Sequence, residues 1–452
     1  MLNEHPGITG IISCGDRVVE ATRQLIEQAA FCARHRTKTT YFTRRRCLPF
    51  NKMMVLLLQK TVRSIQAHMV DFFDRLDQAI SPVTASAWSQ ARLKLQHTAF
   101  IELNEKAILE VVEGGQTDFQ VRRWEGYRLL AVDSSLITLP NEEEIGREFG
   151  WAQCRNQQGD CGRYAQGRIS VVTDVLNRLA TEGLLVPWQV GERRLAVVHL
   201  ERFGSEDLAL MDRGYASYEL FARFIARQRA FVCRCALNSF GVVNRLFAEN
   251  KEGVSAVDWL VPPNGTTGET RQAGLPEKIQ VRFVTVRLPQ GSLEVLATNL
   301  LDGERYPTKD FGWLYHQRWG IETYYGVIKG RLDLENFTGR SREAVRQDFH
   351  ATVFLSNLET ILTRPAHREL TQKGQEHKYP KQVNHAVCFH AIKSRMIDLL
   401  LSAQPVESVV RELGKLFLAN PVSVRPNRKP PRRKSSAWRS YRYQRNMKKA
   451  VF

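Results

Sequence analysis

Three acids in this sequence stand where phosphoryl chemistry can be done. Asp133 follows the apolar run Tyr127–Val132, Asp212 follows Leu208–Met211, and Glu322 lies in a segment with helical periodicity. Taken singly, each has an ordinary reading. Asp133 suits a turn or a helix N-cap, Asp212-Arg213-Gly214 suits a turn, and Glu322 suits a surface helix. The neighbours of Glu322 change the weighting. Tyr315, Arg318, Glu322 and Lys329 follow one another at intervals of 3, 4 and 7 residues. On a helix turning about 100° per residue they fall within an arc of roughly 60°. One carboxylate among cations and a phenol points to a metal ligand held against a nucleic-acid backbone. Arg318 to Lys329 covers about 16 Å of helix, enough for two or more phosphates. Arg318 suits a bidentate grip and Lys329 a point charge. Trp313 and Trp319 are stacking candidates, with Trp319 alternatively an anchor to the core.

Three carboxylates brought together repel and protonate unless a cation neutralises them. Two Mg²⁺ ions, with Mn²⁺ able to substitute, suit an all-oxygen ligand set. In such a site one ion activates water or a 3′-hydroxyl, and the other stabilises the leaving oxygen of an in-line displacement. Asp133 is expected to bridge both, and Asp212 and Glu322 each to complete one shell.

The elements that must position these residues are expected to be as follows. Residues 17–115 read as helical, with an apolar stripe over Met53–Leu76, a helix opening after Ser81-Pro82-Val83, and another over Ala99–Val112. Strands are predicted at 127–132, 168–173, 180–187, 208–211 and 230–236, with helices over Leu195–Phe203 and Ser217–Gln228. This β-β-β-α-β-α-β order makes a mixed α/β sheet with both aspartates at strand ends. Residues 239–308 read as a β-rich insertion. It holds a hairpin of Lys278–Leu288 and Leu293–Leu300, with a change of phase near Phe283-Val284 that suggests a bulge. Helix returns over Thr308–Arg331, Arg342–Leu362, Val383–Leu401 and Val406–Leu418. The last two are amphipathic and suit either dimer contacts or packing on the core.

The formal net charge is +18, which favours a polyanionic partner. Eleven Lys/Arg and no acid lie in 421–452, so the other 420 residues carry 18 − 11 = +7. That tail interleaves Trp438, Tyr441 and Tyr443 with its cations, a texture for non-specific nucleic-acid binding or for a solubilising arm. A second basic stretch holds Arg44, Arg45 and Arg46; it reads as a solvated loop or as a DNA-contacting element. No CxxC pair occurs among the eight cysteines, which argues against structural zinc and for free thiols in a reducing compartment. Cys233 and Cys235 are expected on one buried face of a strand. No apolar h-region follows the N-terminus and no run is long enough to span a bilayer, so a cytoplasmic, nucleoid-associated location is expected. There is no GxxxxGK loop, which leaves no support for a nucleotide cofactor.

At this point the residues carry a resemblance. Tyr315-x2-Arg318-x3-Glu322-x6-Lys329 is similar to the YREK signature of the insertion-sequence "family four" transposases, a bacterial group of DDE transposases with an RNase H-like core. Asp133 in Ala131-Val132-Asp133-Ser134-Ser135 resembles the first Asp motif, although the family more often has Gly where this chain has Ser134. Asp212-Arg213-Gly214-Tyr215 resembles the second, and Ser89-Gln90-Ala91-Arg92-Leu93-Lys94 resembles a stretch of the family's N-terminal region. The resemblance covers roughly residues 80–365 and implies an RNase H-like mixed sheet flanked by helices, with a β-rich insertion before the Glu helix. It implies a Mg²⁺-dependent enzyme that binds terminal inverted repeats of double-stranded DNA as a homodimer, cuts at the element ends and joins 3′-ends to target DNA. In part of the family a hairpin intermediate is formed. Asp133, Asp212 and Glu322 would be the catalytic, metal-binding acids. Tyr315, Arg318, Lys329, Trp319 and Arg213 would contact DNA. Competing readings are a catalytically silent DNA-binding derivative and another RNase H-like nuclease. The expected organisation is a helical N-terminal DNA-binding domain (1–115), a core in two parts (116–238 and 309–365), the insertion (239–308), C-terminal helices (366–420) and a helical-to-basic C-terminal region ending in the tail (421–452).

Overall fold

A computed structural model describes residues 13–44, 46–60, 64–76, 83–155, 161–264, 267–288, 291–373 and 379–425. The N-terminal part is helical: α1 (Cys14–Glu27), α2 (Ala29–His35), α3 (Phe50–Gln59), α4 (Ile65–Asp74) and α5 (Ala85–Arg92). α6 (Thr98–Leu103) then runs through one π-helical span (Asn104–Leu109) into α7 (Glu110–Glu113). The middle of the chain holds β1 (Arg128–Thr138), α8 (Glu143–Phe149), β2 (Trp151–Arg155), β3 (Cys161–Asp174), β4 (Leu179–Pro187), α9 (Glu192–Leu200), β5 (Asp207–Met211), α10 (Tyr218–Ala226) and β6 (Ala230–Cys235). It continues with α11 (Gly241–Glu249), β7 (Ser255–Leu260), α12 (Thr267–Gln272), β8 (Ile279–Arg287) and β9 (Leu293–Thr298). Helices α13 (Phe311–His316), α14 (Trp319–Gly330), α15 (Arg342–Lys373), α16 (His385–Ser394), α17 (Met396–Leu400) and α18 (Val406–Ala419) close it.

Two compact units divide the chain: one of residues 1–121, 137–167 and 326–452, the other of 122–136 and 168–325. The first is organised on α15, a helix of 32 residues against which α1, α3, α6 and α18 pack. The apolar stripe read over Met53–Leu76 belongs to two helices, α3 and α4. The positive φ of 27° at Lys60 ends the first of them. The Ser-Gln-Ala-Arg-Leu-Lys motif lies on and just after α5. Its Arg92 is buried and donates to Gln347 (2.7 Å), Thr338 (2.7 Å), the carbonyl of Ala344 (2.8 Å) and Asp348 (2.7 Å). A buried guanidinium survives only with this degree of pairing. In α18, Val406, Val409, Leu413 and Phe417 are buried, and the helix packs on α1 and α15. Its apolar stripe is thus used within the unit, as the core-packing reading expected.

The second unit holds the acids. Its strand order is β3-β1-β5-β6-β9-β8-β7, with β4 beside β3. β1, β5 and β6 are parallel, and β6, β9, β8 and β7 are antiparallel neighbours. This is the mixed α/β sheet expected from the sequence, with helices packed on it. β5 is buried along its whole length and β6 at all but Arg234, as strands covered on both faces must be. Their starts are tied together, since Arg128 reaches the buried Asp207 opposite it at 2.7 and 3.1 Å. Phe221, Phe231, Phe283, Met211 and Val132 share one apolar cluster.

Two expectations are corrected here, on the bulge and on the end of β1, and the β-rich segment at 239–308 is placed. The bulge near Phe283-Val284 is absent: pairing runs unbroken from Arg282↔Thr298 to Arg287↔Leu293 on one side and from Ser255↔Val284 to Leu260↔Ile279 on the other. The apparent phase change arises because both faces of β8 are buried, and Arg282 is held by the carbonyls of Leu300 and Tyr306. The strands read as an insertion continue the main sheet, since β9 pairs with β6. Lastly, β1 does not stop at Val132. It runs on to Thr138, and Asp133, for which a turn was one reading, remains in the extended strand.

Candidate functional site

The parallel register of β1 and β5 aligns Val132 with Met211, where their pairing ends. The next residue on each strand is an acid, Asp133 and Asp212. Placing two carboxylates at the same level of adjacent strands is what brings them together, although Asp133 itself lies within β1 and not at its end. Each is oriented by its own backbone. Asp133 Oδ1 accepts from the Ser134 amide (2.8 Å) and Asp212 Oδ1 from the Arg213 amide (2.6 Å). The Asp133 carbonyl accepts from the Tyr325 hydroxyl (2.8 Å) and the Ser170 hydroxyl (3.3 Å), and Ser170 leans on the buried His199 (2.9 Å).

Burial pushes the Asp133 carboxyl up to about 6; the Ser134 amide and Arg318 pull it down, while Glu192 and Asp212 push it further up. The rise thus comes first from burial, with the two like charges adding to it. Asp212 has Arg234 at 4.0 Å, at the limit of an ion pair. Two buried hydroxyls nearby, those of Tyr215 and Tyr315, have no hydrogen-bond partner, and neither has Arg318 Nε. Unpaired buried donors of this kind cost about 1–3 kcal/mol each, so they mark places where an acceptor belongs.

The signature residues are not on one uninterrupted helix. α13 ends at His316 and α14 starts at Trp319. Across the junction the bonds tighten to i→i−3, from Gln317 to Leu314 (3.2 Å) and Arg318 to Tyr315 (3.1 Å). No glycine or proline marks this break. Arg318 is 3% exposed, with its guanidinium 5.7 Å from the Tyr315 ring and 5.2 Å from the Trp319 ring. It donates to Glu322 at 2.9 Å. Glu322 is exposed and its partner here is an arginine; no group of three His, Cys, Asp or Glu side chains close enough to hold a metal occurs among the described residues. Lys329 lies on α14, seven residues beyond Glu322. Trp319 is 46% and Trp313 is 51% exposed, so Trp319 is not an anchor buried in the core. Arg213 is exposed in the turn after Asp212.

In the first unit, Arg44 and Arg46 are exposed and line a cavity of about 760 Å³ with Tyr41, Phe42 and Lys94. Arg45 lies outside the described residues, as do residues 426–452 of the basic tail. Cys233 and Cys235 are buried free thiols, as expected. Among the described residues no helix is long and apolar enough to cross a membrane.

Sequence reasoning missed Glu192, Arg168 and Ser170, whose partners are far away in the chain. Tyr325 carried a usable signal, since it stands one turn after Glu322 on the same helix.

The fold and the paired acids correspond to a known class. Residues 124–358 match the family of the transposase DDE domain, and the chain belongs to that family. Among curated relatives, the transposase InsG for insertion sequence element IS4 of Escherichia coli is 27% identical over 241 residues, 52% of this chain and 52% of that one. A Sinorhizobium fredii protein, y4zB, named as a transposase, is 28% identical over 258 residues, 55% of this chain and 65% of that one. The chain thus spans between half and two thirds of these relatives. Among solved structures, a piggyBac transposase synaptic complex with hairpin DNA aligns over 92% of this chain and 85% of that one, at 12% identity and a TM-score of 0.40.

Proposed function

We propose that this protein is an active DNA transposase that cleaves DNA at the ends of its insertion sequence and joins the freed 3′-ends to target DNA. The observation that carries the reading is the register of β1 and β5, which sets Asp133 and Asp212 side by side inside the DDE family domain. Asp133, Asp212 and Glu322 are its catalytic acids and would hold Mg²⁺. The donor set fits such an ion. The carboxylates are hard oxygen donors, and the Asp133 carboxyl is raised by burial, with Glu192 and Asp212 adding to the rise, a cost of charging that a dication relieves. Bound there, Mg²⁺ supplies Lewis acidity and a lowered pKa for a coordinated hydroxyl.

The chain's own residues then have separate tasks. Tyr315 presents an unpaired hydroxyl to a phosphate oxygen, and Arg318 turns its guanidinium from Glu322 to a phosphate. That exchange frees Glu322 to join the two aspartates. Lys329 neutralises a second phosphate, and exposed Arg213 and Trp319 meet the DNA beside the site. The helical region at 1–115, with Arg44, Arg45 and Arg46, binds the terminal repeats; 116–238 and 309–365 form the core around the 239–308 strands; 366–420 supports the core; and the tail at 421–452 adds non-specific affinity. The working form is a homodimer on paired DNA ends, cytoplasmic and nucleoid-associated.

The deciding experiment is strand cleavage of the DNA flanking the gene, with and without Mg²⁺, by the wild type and Glu322→Gln. The variant is expected to bind DNA with unchanged affinity and to lose Mg²⁺-dependent cleavage. Cleavage that persists in the variant overturns the assignment of Glu322, and DNA binding without cleavage by the wild type favours a silent derivative.

A further inference from the structure

We infer that Glu192 is a positioning residue that holds Asp133 and Asp212 in register with each other, acting through Ser134 and Arg168 on one side and alongside Arg193 on the other. The inference rests on the reading of the two aspartates as ion ligands.

Glu192 opens α9. Its Oε1 accepts from the Ser134 hydroxyl at 2.8 Å and from Arg168 Nη1 at 2.9 Å. Arg168 Nη1 also donates to the Ser134 oxygen at 2.8 Å, so the three side chains close a ring. Arg168 is in turn fixed by the carbonyl of Trp188 at 3.3 Å. Ser134 is the residue after Asp133, and it supplies the amide that orients the Asp133 carboxylate. The ring therefore holds the segment that aims the first acid.

The same helical turn reaches the second acid. Arg193 Nε donates to the carbonyl of Gly214 at 2.9 Å, two residues beyond Asp212. Glu192 Oε2 lies 3.5 Å from where a Cβ on Gly214 would stand, so this loop packs directly on the glutamate. The ring of the neighbouring Tyr215 is buried in the apolar cluster, while its hydroxyl has no partner. One turn of α9 thus grips both acid-bearing segments beyond the point where the β1–β5 pairing ends. Past that point nothing pairs β1 with β5, so the spacing of two like-charged ligands depends on such a brace, and residues that orient metal ligands commonly change metal affinity 10–100-fold when altered.

Charge alone makes a different prediction, which separates the two explanations. Glu192 and Arg168 are an ion pair, with side chains 39% and 16% exposed. Removing Arg168 leaves an uncompensated carboxylate near the aspartates, which would strengthen the attraction for a dication. A brace, by contrast, fails when either partner is removed.

The test measures Mn²⁺ binding to the full chain by electron paramagnetic resonance of the free ion, with thermal melts as a control. Glu192→Gln, Ser134→Ala and Arg168→Gln are each expected to weaken Mn²⁺ binding, by about tenfold for Glu192→Gln, without a matching loss of melting temperature. The double variant Ser134→Ala/Glu192→Gln is expected to lose little more than Glu192→Gln alone, since both break one ring. Tighter Mn²⁺ binding by Arg168→Gln overturns the inference, as do additive losses in the double variant. Asp133→Asn and Asp212→Asn separate the two levels. If they abolish Mn²⁺ binding while Glu192→Gln and Ser134→Ala match the wild type, only the positioning role fails. If they leave Mn²⁺ binding unchanged, the proposed ion site itself fails.

Discussion

Replacing Asp133 by asparagine should make the metal-free protein more stable at pH 8, although it removes a proposed catalytic acid. The reason is the cost of keeping this carboxylate charged. Burial raises it from 3.8 to about 6, with Glu192 and Asp212 adding to the rise. A raised carboxyl pKa means that the folded state favours the protonated form. That stabilisation is complete below pH 3.8 and is lost as pH rises through about 6. The full rise corresponds to roughly 3 kcal/mol. Because Asp133 is only partly shielded from water, about 1–3 kcal/mol is the working range. For a cooperative unit of this size that is a melting shift of about 3–10 °C. Asparagine keeps the oxygen that accepts from the Ser134 amide and carries no charge. Melts of the wild type and Asp133→Asn in EDTA, at pH 4.5 and pH 8, measure the effect. The variant should exceed the wild type at both values, by about a third as much at the lower pH as at the higher. Added Mg²⁺ should raise the wild type alone, by linkage to the folded state. A variant that melts at or below the wild type at pH 8, or a gap that is the same at both values, refutes the reasoning.

Arg92→Ala should cost roughly 3–5 kcal/mol, because it strands Asp348 inside the first unit, and the urea midpoint will report it; a change under about 1 kcal/mol would refute the pairing argument. Lys329→Ala should lower the slope of log affinity for DNA against log salt by about 0.9, one phosphate contact's worth. An unchanged slope would remove Lys329 from the interface. Trp319→Ala should leave the melting temperature intact, since the ring is 46% exposed. On DNA with an unpaired end it should cost about 1–3 kcal/mol of binding by anisotropy, and a lower melting temperature with unaltered affinity would instead make Trp319 a structural residue.

Local signals carried the parts of the fold in which neighbours in sequence settle the conformation. The apolar run 208–211 is β5, and Ser217, which caps α10 through the Leu220 amide, marks that helix start. Asp212 was found where the strand stops. Asp133 was found for a partly mistaken reason: the strand was expected to stop there, whereas it runs on to Thr138 and bonds from Ser134 to Glu192 and Arg168 hold the next residue. The break at 317–318 has no breaker residue, so periodicity ran straight through it. Arg318 was read as an open phosphate ligand because spacing shows a helix face and says nothing of the rings that cover it. Glu192 could not be found from sequence, since its partner Ser134 is 58 positions away.

The register that pairs β1 with β5 also dictates an order of assembly during synthesis. Leu129 waits for Leu208, 208 − 129 = 79 positions later, before its parallel partner exists. At about 5–20 residues per second that is roughly 4–16 s of ribosome time. β6 then waits for β9 while the chain between them is made. Glu322 emerges last, after every strand of the sheet has left the ribosome. A nascent chain therefore holds its two aspartates, and the fold that pairs them, well before it holds the third acid. Until α14 is made, a half-synthesised protein lacks the third of the acids proposed to act together, so on that proposal the nascent chain is inactive.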